Sequence, residues 1–244
     1  MRIAVRLAYR GTGFSGWQVQ KKGERTVQTV FQNSLEKLLG YRPDTKVASR
    51  TDAGVHADGQ CVHFELKQDW AIDEFLNALN AHMPADLVVR EAKLVDEKFH
   101  ARFSTKGKMY RYQVWVSSTK PIFNEDQVLW LKNKPNLDLM RQAALSLMGE
   151  HDFSAFSDRA ELRPDRRRTI TRLDIIESET GLIEFFIAGN GFLYHMVRII
   201  VSTLLEVGFE RRNLESMQLL LDGSEKKAGP AAKAHGLTLQ EVYY

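Results

Sequence analysis

The chain has one cysteine, Cys61, among 244 residues, so no disulfide can form within it. A single thiol gives no sign of an oxidising compartment. No apolar run approaches the roughly 20 residues that a membrane-spanning helix needs. The first residues, MRIAVRLAYRG, alternate and carry Arg2, Arg6 and Arg10, which is not the composition of a secretory leader. These absences point to a cytoplasmic protein with no membrane partner. CxxC and HxxxH spacings are also missing, and with them the common metal-ligand patterns. Charge of one sign is scarce: the formal net charge is only +3. Any affinity for nucleic acid must come from local clustering. No low-complexity stretch or flexible linker divides the chain. What is present is an ordinary globular composition, 43% apolar and 27% charged, sufficient for a full core.

Periodicity gives the order of elements. Met1 to Arg10 reads as a strand, followed by a glycine-rich loop, GTGFSGW. Thr26 is an N-cap for a helix carrying Val27, Val30, Phe31, Leu35, Leu38 and Leu39, and Gly40 closes it. Strands follow at Lys46 to Arg50 and Gln60 to Leu66, a helix at Ile72 to Ala81, and a strand at Leu87 to Val95. This β-α-β-β-α-β order is that of a ferredoxin-like unit. The second half repeats it. A strand at Lys108 to Val116 and a helix at Leu137 to Met148 precede a hairpin, Thr169 to Glu177 and Leu182 to Ala188, around Glu179-Thr180-Gly181. Helices at Leu193 to Val207 and Leu214 to Leu221 and a strand at Leu237 to Tyr243 complete it. The predicted fold is α+β, with two ferredoxin-like (split β-α-β) halves, residues 1–103 and 104–244. A largely antiparallel central sheet is expected to join them, with helices on one side and a cleft between the halves.

Four stretches carry chemistry. SRTDAGVHADGQ, Ser49 to Gln60, lies between two strands, and Thr51-Asp52-Ala53-Gly54 has the residues of a tight turn. An ordinary hairpin turn and a turn that presents Asp52 to a ligand fit equally well. Ala53, Gly54, Ala57 and Gly59 are all small, so a ligand or another strand can approach this backbone. His56 and Asp58 suggest a metal, but no third or fourth ligand accompanies them. In GNGFLYHMVRIIVSTLLE, Gly189 to Glu206, the helix is apolar nearly all round, which predicts burial. Arg198 is then an internal cation in need of an anion. Glu206 is two turns away, or the side chain reaches water; a carboxylate from the other half is the sharper expectation. In KGKMYRYQVW, Lys106 to Trp115, Tyr112 reads as core, while basic strands with interleaved aromatics offer stacking surfaces for unpaired bases. Arg159, Arg163, Arg166, Arg167, Arg168 and Arg172 crowd one short span. Arginine suits bidentate phosphate contacts, and a solvated face is the alternative. Lys21, Lys22 and Arg25, with Lys226, Lys227 and Lys233, add to the basic total.

Together these pieces resemble the tRNA pseudouridine synthase A family. RTDAGVHA at Arg50 to Ala57 carries the resemblance most specifically. FHARFS at Phe99 to Ser104, KMYRYQVW at Lys108 to Trp115, GEHDFSAF at Gly149 to Phe156, FLYHMVR at Phe192 to Arg198 and AGPAAKAHGLTL at Ala228 to Leu239 follow in family order. The resemblance implies an enzyme that converts uridine to pseudouridine at positions 38 to 40 of the tRNA anticodon stem-loop. It implies a homodimer with tRNA as partner and no metal or organic cofactor. It makes Asp52 the catalytic aspartate, Tyr110 the active-site tyrosine and Arg198 the arginine that pairs with the aspartate. Arg50 would hold the flipped-out nucleotide, and Leu237 would lie against the base. Thr51, His56, Arg166, Arg167 and Arg168 would join in binding RNA. The catalytic turn then belongs to the first half, and the tyrosine and arginine to the second. Ser49, Ile199 and Ser202 depart from the family's usual glycine, asparagine and glycine. A non-catalytic RNA-binding protein would explain the basic strands but not an acidic Asp52 facing an anionic ligand. A metal-dependent hydrolase around Asp52, His56 and Asp58 lacks ligands.

Overall fold

The alternation of the first residues becomes strand β1, Arg2–Tyr9, with Ile3, Val5 and Leu7 buried. The computed structural model describes residues 1–20, 23–158 and 165–244. The chain forms two units, Met1–Lys106 with Thr238–Tyr244, and Gly107–Leu237.

In the first unit α1, Val27–Leu39, starts where the Thr26 hydroxyl accepts the Thr29 N–H at 3.2 Å, and stops at Gly40 with φ of 75°. Then come β2, Lys46–Val47, β3, His56–Glu65, α2, Ile72–Asn80, and β4, Leu87–Leu94. β1 lies antiparallel between β3 and β4, and β2 joins the far edge of β3. The resulting order, β4-β1-β3-β2, suits a ferredoxin-like unit. Phe31 of α1 and Phe75 of α2 both meet Phe64 of β3, at 6.0 and 6.2 Å between ring centres. Both helices therefore cover the face to which Phe64 points.

Successive residues of a strand point to opposite faces, so His63 lies on the other side. Its Nδ1 accepts the Ala101 N–H at 3.1 Å. Burial, with the charge of His100 and Arg2, pushes the His63 imidazole down to about 4. An unfolded histidine takes up a proton near pH 6.5. Between these values the unfolded chain binds more protons, so this contribution is complete above about pH 6.5 and fades as pH falls toward 4. Urea unfolding at pH 7.5 and pH 5 is expected to show it. In His63→Gln the loss of stability between the two pH values should shrink by about 1–2 kcal/mol. An unchanged loss would remove His63 from the acid response.

The second unit holds β5, Gly107–Val116, β6, Leu129–Leu131, α3, Leu137–Leu145, β7, Gly149–Asp152, β8, Arg167–Glu177, β9, Leu182–Gly189, α4, Met196–Gly208, and α5, Glu215–Leu221. Its sheet runs β6-β5-β9-β8-β7, antiparallel except between β5 and β6. α4 is buried on nearly every side, from Met196 to Gly208, as its apolar surround predicts. It begins three residues later than periodicity suggests, because His195 adopts a left-handed conformation with φ of 63°. β6 and β7 carry too few residues to show a pattern. The closing strand β10, Leu237–Tyr243, pairs in parallel with β3 at Thr238↔His56 and Leu239↔Ala57. Element order places it in the second half, whereas Thr238–Tyr244 belongs to the first unit. The physical reason is an open strand edge. β2 takes only Val62 and His63 of β3, which leaves His56 and Ala57 free to pair.

Candidate active site

In the first unit Asp52 sits at the start of a four-residue turn. The Val55 N–H donates to the Asp52 carbonyl at 3.2 Å, and Gly54 at the third position has φ of 79°. A positive φ there is the mark of a type II turn and favours glycine. The turn is held from below by the glycine-rich loop. Gly54 N–H donates to the Phe14 carbonyl at 3.3 Å, and Trp17 N–H to the Thr51 carbonyl at 3.0 Å. Gly11 packs so closely that a Cβ on it would run into the backbone of Val55. The Gly11 N–H also donates to His56 Nδ1 at 3.1 Å.

Side chains complete the clamp. Gln60 is fully buried; its Nε2 donates to the Ser49 carbonyl at 2.6 Å and to the Tyr9 hydroxyl at 3.3 Å, and its Oε1 accepts the Ser49 N–H at 3.3 Å. The Tyr9 and Thr51 hydroxyls meet at 2.8 Å. Thr51 and His56 are thus buried supports of the turn. Asp52 stays half-buried and Ala53 exposed. Arg50 is exposed, and among the described residues its guanidinium has no ion-pair or hydrogen-bond partner. A rigid backbone therefore carries one carboxylate and, two residues before it, one accessible cation. Asp58 is engaged elsewhere, with Arg90 at 2.5 Å and Gln240 at 3.1 Å. Among the described residues no cluster of three or more His, Cys, Asp or Glu could hold a metal ion.

In the second unit Tyr110 lies on β5 opposite Ile187 of β9, buried, its ring edge-on to Phe192 at 5.2 Å. Tyr112 shares that face but is fully enclosed. Its hydroxyl donates to the Lys233 carbonyl at 2.8 Å, and burial pushes its phenol far up against the opposing charge of Arg198. Tyr112 is core, as the sequence predicts. Arg198 is half-buried on the first turn of α4, and its Nε donates to the Ala232 carbonyl at 2.6 Å. Glu206 is bound instead to Arg212, at 3.0 Å, and Arg212 in turn to Glu225 at 2.7 Å. Leu237 is buried at the start of β10.

Of the basic run, Arg167 makes an exposed ion pair with Glu150 at 2.6 Å, and Arg168 donates to the Arg167 carbonyl at 2.6 Å. Arg166 is half-buried, its carbonyl accepting the Phe153 N–H at 3.3 Å. Arg172 pairs with Asp174 at 2.5 Å. Arg159 and Arg163, with Lys21 and Lys22, lie outside the described residues.

A family model described as tRNA pseudouridine synthase matches residues 6–104 and 143–244, spanning the turn of Asp52 and the helix of Arg198. The chain belongs to the tRNA pseudouridine synthase family. Curated relatives agree. A tRNA pseudouridine synthase A of Shouchella clausii is 42% identical over 245 residues, covering 100% of this chain and 93% of that one. One of Bacillus subtilis is 39% identical over 247 residues, covering 100% and 99%. A solved structure titled as a Cbf5-Nop10-Gar1 complex aligns more distantly, with a TM-score of 0.38 and 12% identity over 83% of this chain and 54% of that one. The chain is therefore an isomerase that makes pseudouridine from uridine in tRNA. Among the described residues no helix is long and apolar enough to cross a membrane.

Within the first unit Arg50 is exposed and Asp52 half-buried, and Tyr9, Gly11, Thr51, His56 and Gln60 hold the backbone beneath them. Sequence reasoning found the turn but not its supports. GTGFSGW was visible as a loop, yet nothing local says which turn it would hold.

Proposed function

We propose that the enzyme acts at positions 38 to 40 of the tRNA anticodon stem-loop, as a cytoplasmic homodimer, without metal or organic cofactor. The observation that carries the mechanism is the rigid, small-residue turn that holds the half-buried Asp52 while every support below it is hydrogen-bonded. The reaction is an isomerisation. The N1–C1′ bond breaks, the base turns over, C5 bonds to C1′, C5 loses its proton and N1 gains one. An ionised carboxylate serves this chemistry by attacking C1′ of the sugar or C6 of the base. Arg198 supplies the cation that keeps that carboxylate ionised, the role the resemblance gives it. A uridine stacked in RNA is out of reach, so it must leave the stack, and Arg50 fills the gap or grips its phosphate. Leu237 lies against the base.

Tyr110 serves as platform and proton acceptor. Tyr110→Phe keeps the ring, so tRNA binding should hold while tritium at C5 of the target uridine is released slowly. Release at the wild-type rate would leave Tyr110 a stacking surface only.

Arg166, Arg167 and Arg168 contact phosphate. An exposed ion pair such as Arg167–Glu150 is worth little, so Arg167 is free to exchange Glu150 for RNA. Replacing Arg167 and Arg168 together by Ala should flatten the log–log dependence of tRNA affinity on salt by about 1.4–1.8, at 0.7–0.9 per contact. An unchanged slope would assign both to a solvated face.

The site choice is tested by mapping pseudouridine in tRNA from cells that lack the protein. Loss confined to positions 38 to 40, restored by the wild-type gene, is expected. Intact modification there would overturn the reading. Sedimentation as a monomer at working concentration would overturn the dimer.

A further inference from the structure

The FHARFS segment carries, one residue before its end, an aromatic that the core does not use. Phe103 is 72% exposed. It is nonetheless rigidly held, at the end of a row of rings that starts inside the first unit. The His63 ring lies 4.8 Å from His100, and His100 lies 4.4 Å from Phe103 at a 35° tilt. His100 Nδ1 accepts the Arg102 and Phe103 N–H groups at 3.1 and 3.3 Å. Its backbone closes a loop with Ser104, whose hydroxyl accepts the His100 N–H at 3.0 Å. Below, Ala101 is fully buried, and its carbonyl accepts the hydroxyls of Thr105 and Tyr244, both at 2.7 Å. An exposed apolar ring on so braced a backbone is preorganised, and holding it costs binding little further entropy.

Of the cations around the row, Arg2 pairs with Glu65 and Lys46 with Asp44, both at 2.7 Å. The guanidinium of Arg102 lies 5.9 Å from the Phe103 ring centre, and Arg102 has no ion-pair partner among the described residues. Burial, with the charges of Lys46, Arg2 and Arg102, holds the His100 imidazole below its ordinary range. His100 therefore stays a neutral acceptor, and the loop keeps its shape at working pH. An exposed aromatic face beside one unpaired cation, Arg102, is the chemistry that receives an unpaired base and its phosphate. An apolar protein partner would not call for the cation. The place also fits a long ligand. His63 stands seven residues along β3 from His56, about 23 Å at 3.3 Å per residue, so the row lies well away from the turn of Asp52.

We propose that Phe103 and Arg102 form a second RNA contact, in which an unpaired base of the tRNA stacks on Phe103 while Arg102 takes the adjoining phosphate. The site steadies the tRNA at a distance from the reacting uridine and has no part in the chemistry. It rests on the reading of the chain as a tRNA-modifying enzyme.

The test compares Phe103→Leu, Phe103→Trp and Arg102→Ala with the wild-type protein on one unmodified tRNA transcript. Phe103→Leu keeps apolar bulk and loses the ring. It should weaken tRNA binding and raise KM by about 5- to 150-fold with kcat unchanged, the range for one lost base–aromatic stack. Phe103→Trp should bind as wild type or tighter. Arg102→Ala should lower the salt slope by about 0.7–0.9. Equal affinity of Phe103→Leu and wild type would overturn the proposal. So would a loss that follows a changed sedimentation coefficient, because Phe103 would then contact a second copy of the chain. Wild-type protein that forms no pseudouridine in the transcript would instead defeat the underlying reading, so the two failures stay distinct.

Discussion

Asp52→Asn is expected to bind tRNA and convert no uridine. The amide is nearly the size of the carboxylate and cannot act as a nucleophile, so the loss should reach on the order of 10⁴-fold or more in kcat. The turn should survive, because its hydrogen bonds run through the carbonyls of Asp52, Thr51 and Phe14 and the N–H groups of Val55, Trp17 and Gly54. Affinity for tRNA should hold or rise, since one negative charge has left an anionic ligand's site. Single-turnover assays with saturating enzyme separate these effects from binding. Multiple turnover by the purified variant would end the mechanism proposed for Asp52.

The second large effect is expected far from any reacting atom. Gly11→Ala places a methyl group against the Val55 backbone. Backbone on both sides leaves no flexible side chain to move aside, so the loop or the turn must shift. Overpacking of this kind costs about 1–3 kcal/mol, which lowers Tm by roughly 3–10 °C in a chain of this size. Activity should fall much further than stability, because a displacement near 1 Å of a catalytic group can cost on the order of 10²-fold. The Gly11 N–H bond to His56 should weaken with it. A variant with normal kcat and lowered Tm would show that the loop stabilises the fold without setting the position of Asp52.

Local signals in the sequence carried much of this architecture. Thr26 and Gly40 bracket α1 as cap chemistry requires, and the alternation of Ile3, Val5 and Leu7 marks β1. The near-total apolar surround of α4 gives its burial. Asp52-Ala53-Gly54 declares its turn through the glycine that takes positive φ. What stayed hidden depends on residues distant in sequence. β10 joins β3 across nearly the whole chain, and no periodicity encodes which strand edge is open. Gln60 looks like any polar strand residue until Ser49 and Tyr9 are seen against it. His56 invites thoughts of a ligand, and only the fold reveals that Gly11 occupies its Nδ1. His195 is the reverse case. A non-glycine residue at positive φ has no sequence signature, so the start of α4 could not be placed from its pattern.

The most direct measurement gives the purified enzyme a tRNA transcript whose uridines carry tritium at C5, with EDTA present, and follows tritium release while pseudouridine is mapped in the product. The account expects one tritium released for each pseudouridine formed, all of it within positions 38 to 40, at a rate that EDTA leaves unchanged. Pseudouridine at other positions, or no release until a metal ion is restored, would contradict it.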